Sequence, residues 1–171
     1  MPNRFQNIFH GRKSETPETD SLWVRIRVPE DGADIGSISY LKTLPIEGLF
    51  FMMCHYEESA QAAIADLKLA SHRGEDGRTV AHIAAFWHES VAREIMTNPK
   101  MERIAKLKDK YGWTVAHESV WAHTPVAQEF LRNPAMPQLA DLVGWRCLTV
   151  EWAAKRSSER TEDGNAAKLR K

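Results

Sequence analysis

The hexapeptide Gly77-Arg78-Thr79-Val80-Ala81-His82 returns 35 residues later as Gly112-Trp113-Thr114-Val115-Ala116-His117. A signature recurring at this spacing confines the chain to stacked units, and periods of this length belong to helical hairpins. A decayed third copy, Gly144-Trp145-Arg146-Cys147-Leu148-Thr149, begins 32 residues after the second. The similarity also runs beyond the signature, because Val91 to Pro99 lies over Val126 to Pro134 at the same offset of 35.

Each residue of the signature has a local reason to start a helix. Gly77 and Gly112 admit a positive φ in the preceding turn. Thr79 and Thr114 are suited to cap the helix N-terminus, and His82 and His117, three residues on, can bond back to the turn. These residues resemble the ankyrin repeat, whose Gly-x-Thr-Pro-Leu-His-x-Ala-Ala core is nearly met by Gly77-Arg78-Thr79-Val80-Ala81-His82-Ile83-Ala84-Ala85.

The resemblance spans residues 46–156 and implies an all-α, ankyrin-like solenoid of about four helical hairpins with atypical ends. Two features depart from the family pattern. Between the two helices stand His88-Glu89-Ser90 and His123-Thr124-Pro125 in place of glycine, and an Asn-Pro-x-Met segment follows the second helix at Asn98 to Met101 and Asn133 to Met136. A HEAT-like or leucine-rich-variant helical solenoid is the alternative architecture.

Around this body the chain divides into further segments. Residues 1–20 read as a flexible polar tail. Residues 21–45 read as an extended cap, in which Leu22, Val24, Ile26 and Val28 alternate as in a half-buried strand and Ser37 to Leu41 is a candidate hairpin partner. Gly48 to Cys54 forms the buried helix of a first repeat when Glu58-Ser59 is laid over Glu89-Ser90, an offset of 31, and Ser59 to Ala70 is its second helix. The last helix is expected from Thr149 to Lys155, and the polar residues 157–171 as a disordered tail.

Lys plus Arg equals Asp plus Glu at 23 each. The whole-chain field therefore gives no reason to expect a nucleic acid or an acidic membrane as partner. Cys54 and Cys147 stand far apart in apolar surroundings, which fits buried thiols in a reducing, cytoplasmic setting better than a disulfide framework. No apolar run reaches the length of a membrane span.

The chemistry-bearing residues fit structural roles. His117 and His123 are six apart, whereas a zincin needs histidines at i and i+4 on one helical face. His82 and His117 are explained as signature residues and His88 and His123 as inter-helix turn residues. The expectation is therefore no metal, no cofactor and no catalytic residue, a small enzyme with a His/Glu site in the groove being the alternative reading. A nucleophile elbow and a glycine-rich phosphate loop are both absent from the sequence.

Interaction with a protein partner is the expected function. The position after each signature glycine is Arg78, Trp113 and Trp145, with Tyr111 just before Gly112. In the ankyrin pattern such turn-tip residues align along one edge, and Trp, Tyr and Arg are the residue types richest in interface hot spots. Arg78, Tyr111, Trp113 and Trp145 are thus expected as a partly exposed ladder, while Phe86, Trp87, Trp121 and Trp152 are expected in the core. Self-association through a terminal repeat, as a structural subunit, is a third reading.

Overall fold

The computed structural model describes residues 35–144 and 147–168, with side chains through residue 160. Among these residues there are ten α-helices, and extended pairing is limited to isolated bridges. The strand expected over Leu22 to Val28, the tail of residues 1–20 and Trp145 lie outside the described residues.

Three tight turns set the frame. Antiparallel bridges close them between Arg73 and Thr79, Lys108 and Thr114, and Val143 and Thr149. One residue in each turn is left-handed, with φ of 76° at Gly77, 80° at Gly112 and 60° at Cys147. Each lies 35 residues from the last, so the third copy keeps the full period and its signature position is Cys147. The register expected on Gly144 is corrected by three residues.

Gly144 instead stands where Gly74 and Asp109 stand, donating its amide back across the turn. The three bonds run from Gly74 N to Arg78 O at 2.9 Å, Asp109 N to Trp113 O at 2.9 Å and Gly144 N to Leu148 O at 2.8 Å. Sequence matching favoured Gly144 because a left-handed φ ordinarily selects glycine, and a side-chain-bearing residue there costs about 1–2 kcal/mol.

The helices follow in order as α1 (Ile38–Leu41), α2 (Ile46–His55), α3 (Glu57–Ala65), α4 (Leu67–Ala70), α5 (Val80–Trp87), α6 (Glu89–Thr97), α7 (Glu102–Ala105), α8 (Val115–Ala122), α9 (Thr124–Arg132) and α10 (Val150–Lys168). A short 3₁₀ turn at Pro99–Met101 lies within the first Asn-Pro-x-Met segment, and another at Pro137–Leu139 directly follows the second. The first helices of the hairpins pack in series, α2 on α5, α5 on α8 and α8 on α10, and α3, α6 and α9 pack against them. Met52, Met53, Ala84, Ala85, Val120, Ala153 and Ala154 are buried along these contacts.

Four boundaries differ from expectation, each for a local reason. Ser37 to Leu41 is a helical turn rather than a strand; it forms its own bonds, such as Leu41 N to Ser37 O at 3.0 Å, and buries Leu41. Tyr56 opens α3 with the extended backbone that His88 gives α6, placing the first hairpin at an offset of 32 rather than 31. The single helix expected over Ser59 to Ala70 breaks at Asp66, whose carboxylate accepts from Lys68 N and Leu69 N and caps α4. The last helix passes Lys155 and runs through residues expected to be a disordered tail, up to Lys168. Packing explains the first turn of this extension, since Ser157 is 2% exposed and its hydroxyl meets the Trp121 carbonyl at 3.5 Å.

Candidate binding face

The signature residues build the turns through one repeated network. Thr79 Oγ1 donates to His82 Nδ1 at 2.8 Å and accepts from His82 N at 3.4 Å, and Thr79 N donates to the same ring nitrogen at 3.2 Å. His82 Nε2 then donates to the Trp113 carbonyl of the next turn at 3.0 Å. Thr114 and His117 repeat the arrangement, with His117 Nε2 donating to the Leu148 carbonyl at 3.0 Å. Each histidine therefore ties its own helix cap to the following turn, and both its ring nitrogens are used.

Burial favours neutral rings in this setting, because a charged imidazole loses its hydration there. It pushes His82 down to about 4 and lowers His117 as well. His88 and His123 tie hairpins together from the other end of the helices. Their Nε2 atoms donate to Met53 O at 2.7 Å and Ala85 O at 2.9 Å.

Of the four ladder residues, Tyr111 is exposed, at 48%. Arg78 and Trp113 depart from the expected exposure, at 9% and 8%. Asp109 Oδ1 accepts from both Tyr111 N and Trp113 N at 2.8 Å, and this clamp directs the two side chains differently. Trp113 turns inward onto His117, with ring centroids 4.6 Å apart. Arg78 lies over Phe86 at 5.9 Å and pairs with Glu118. Arg78 and Trp113 thus support the surface from below instead of forming it.

The accessible aromatic surface lies on the first helices of the hairpins. Trp121 and Trp152 stack with an interplanar angle of 9° and centroids 6.1 Å apart, and Trp113 meets Trp121 edge-on at 6.3 Å. Arg160 sits over the Trp121 ring at 3.7 Å and Arg156 over Trp152 at 5.8 Å. Phe86, Trp121 and Trp152 are half-buried, and Trp87 is 47% exposed, so none of the four is fully enclosed as expected of core residues. Arg156 and Arg160 went unrecognised in the sequence. The available signal was their spacing of four and eight residues from Trp152, which puts all three on one helical face once the helix is carried past Lys155.

Glu118, the carboxylate nearest a signature histidine in sequence, is fully enclosed. Burial raises its pKa, while Arg78 and the Trp113 side chain oppose that shift by bonding to it. Its Oε1 is thus engaged by Arg78 within the fold. The Cys54 thiol is pushed up to about 11 by burial, which leaves it protonated at neutral pH.

Among the described residues no group of three or more His, Cys, Asp and Glu side chains is placed to hold a metal ion. An open depression of about 390 Å³ lies between α6 and α9, lined by Arg93, Pro125, Gln128, Glu129, Arg132 and Asn133. Arg93 bridges it by pairing with both Glu89 and Glu129. Also among the described residues, no helix is long and apolar enough to cross a membrane.

Compared with protein-family models, curated proteins and solved structures, the chain matches none.

Proposed function

We propose that the chain is a protein-interaction module, an ankyrin-like stack of helical hairpins that binds a protein partner along its turn tips and first helices. The observation that carries this reading is the coincidence of a rigid, repeated frame with an accessible aromatic face. His82 and His117 lock successive turns together, and Phe86, Trp121 and Trp152 emerge from successive first helices above that frame. Stacked repeats act through extended surfaces of this kind, and half-buried tryptophans offer a large apolar contact at little ordering cost.

Tyr111 extends the proposed surface to a turn tip, with Arg78 and Trp113 holding it in place; Trp145, which lies outside the described residues, is kept in the proposed surface on its sequence position alone. Cys54 and Cys147 are free thiols, in keeping with a reducing compartment, and the cytoplasm is the proposed location.

The test is co-purification from the source cells with the wild-type chain and with Tyr111→Ala and Trp87→Ala. The expected result is a protein retained by the wild type and lost from at least one variant whose melting temperature is unchanged. Retention of the same proteins by every variant counts against this face. A mass that rises with concentration in sedimentation, with no second protein bound, favours the self-associating subunit instead.

A further inference from the structure

We propose that Trp121, Trp152 and Arg160 form a docking site for a peptide segment of a partner protein. The segment lays an apolar side chain over the paired indoles and sets a carboxylate against the Arg160 guanidinium. This rests on the interaction-module reading and narrows it to one site and one ligand chemistry.

The near-parallel indoles stack on one another, and each is half-buried, so that part of each remains open to solvent as an apolar contact. Arg160 is exposed and stacked on Trp121. Stacking uses the face of the guanidinium and leaves its in-plane N–H donors free for a carboxylate, which they match in a bidentate fork. A guanidinium already held on an indole also loses less freedom on binding than a solvated one.

Charge selects the partner's sign. The neighbouring cations are matched, Arg78 by Glu118, Lys155 by Glu151 at 2.6 Å and Arg156 by Glu159 at 3.0 Å. Among the described residues no carboxylate pairs with Arg160. An unmatched cation beside an apolar platform complements an acidic side chain a few residues from an apolar one. Aromatic platforms with arginine also serve single-stranded nucleic acids, but those sites track the backbone with a row of cations. Here the neighbouring cations are spent on carboxylates and the chain's formal net charge is zero, which favours the peptide.

The experiment uses the full chain and fluorescein-labelled heptapeptides, acetylated and amidated so that no terminal carboxylate competes. One set carries Leu and Glu separated by one to four residues; the control set carries Gln in place of Glu. The best Glu peptide is expected to bind at least about tenfold more tightly than its Gln control, as suits a charge-assisted bond. That preference is expected to vanish in Arg160→Gln and to persist in Arg156→Gln, and the indole N–H signals of Trp121 and Trp152 are expected to move on binding.

The proposal is overturned by equal affinity for the two sets, by no binding at millimolar peptide, by a preference that survives Arg160→Gln, or by tighter binding of oligothymidylate than of any Glu peptide. Peptides that shift Trp87 or Tyr111 instead remove this site and leave the interaction-module reading standing. Failure of that broader reading shows separately, in the co-purification.

Discussion

Arg78 and Glu118 form an ion pair that reaches from one turn to the first helix of the next hairpin, 40 residues on, with side chains 11% and 2% exposed. Removing the guanidinium alone strands a buried carboxylate, a loss that typically costs about 3–5 kcal/mol. Arg78→Met is expected to lower the unfolding free energy by that amount in urea at pH 7. Arg78→Met combined with Glu118→Leu is expected to regain most of it, because no buried charge is left. Equal losses in the single and double variants would mean that packing rather than charge holds this contact.

The three left-handed turn positions respond differently to substitution. A Cβ on Gly77 falls 2.7 Å from the Lys110 backbone nitrogen, whereas one on Gly112 meets nothing within 4 Å among the described residues. Gly112→Ala bears the left-handed cost, about 1–2 kcal/mol, and Gly77→Ala is expected to lose more, since the Lys110 backbone must also move. Cys147→Gly is expected to raise stability by up to about 1 kcal/mol, the relieved left-handed cost less the added freedom of the unfolded chain. Thermal unfolding of the three variants checks the order, and a Gly112→Ala loss equal to that of Gly77→Ala would contradict it.

Acid is expected to weaken the fold through His82. Its pKa falls from 6.5 to about 4 on folding, so between those values the unfolded chain binds a proton that the folded chain excludes. Stability is then fully present above about pH 6.5 and declines as the pH drops toward 4, by roughly 3 kcal/mol from this residue. In His82→Asn, which keeps an acceptor near the Thr79 amide but cannot titrate, the slope of unfolding free energy against pH is expected to flatten over that window. An unchanged slope would mean that other groups carry the acid sensitivity.

The turns and the hairpins around them were legible because their determinants are local. A glycine at a left-handed position, a threonine cap and a histidine three residues on are read within six residues, and they recur. The third turn was misplaced because Cys147 carries a backbone conformation that a pattern search assigns to glycine. The direction of side chains was not legible: Trp113 and Tyr111 flank Gly112, yet the Asp109 clamp sends one inward and leaves the other exposed. The Trp121, Trp152 and Arg160 cluster was hidden for another reason. It joins residues from two hairpins, and its arginine lies in a stretch whose polar composition gives no sign of a continuing helix.

That difference in direction separates Trp113 from Tyr111 in experiment. The Trp113 indole packs on His117 and Trp121, and its side chain bonds to the buried Glu118 carboxylate. Trp113→Ala removes all three contacts and leaves a cavity between turns, a change that costs about 3–5 kcal/mol in a core. Tyr111 is 48% exposed with Lys110 Nζ 5.2 Å from its ring centroid, and Tyr111→Ala is expected to cost far less than Trp113→Ala, less than about 1 kcal/mol. If Tyr111 carries partner affinity, its variant should melt with the wild type and bind more weakly by at least about 1 kcal/mol. Equal melting temperatures for Trp113→Ala and the wild type would return Trp113 to the exposed ladder, and full binding by Tyr111→Ala would move the interface away from the turn tips, toward Trp121 and Trp152.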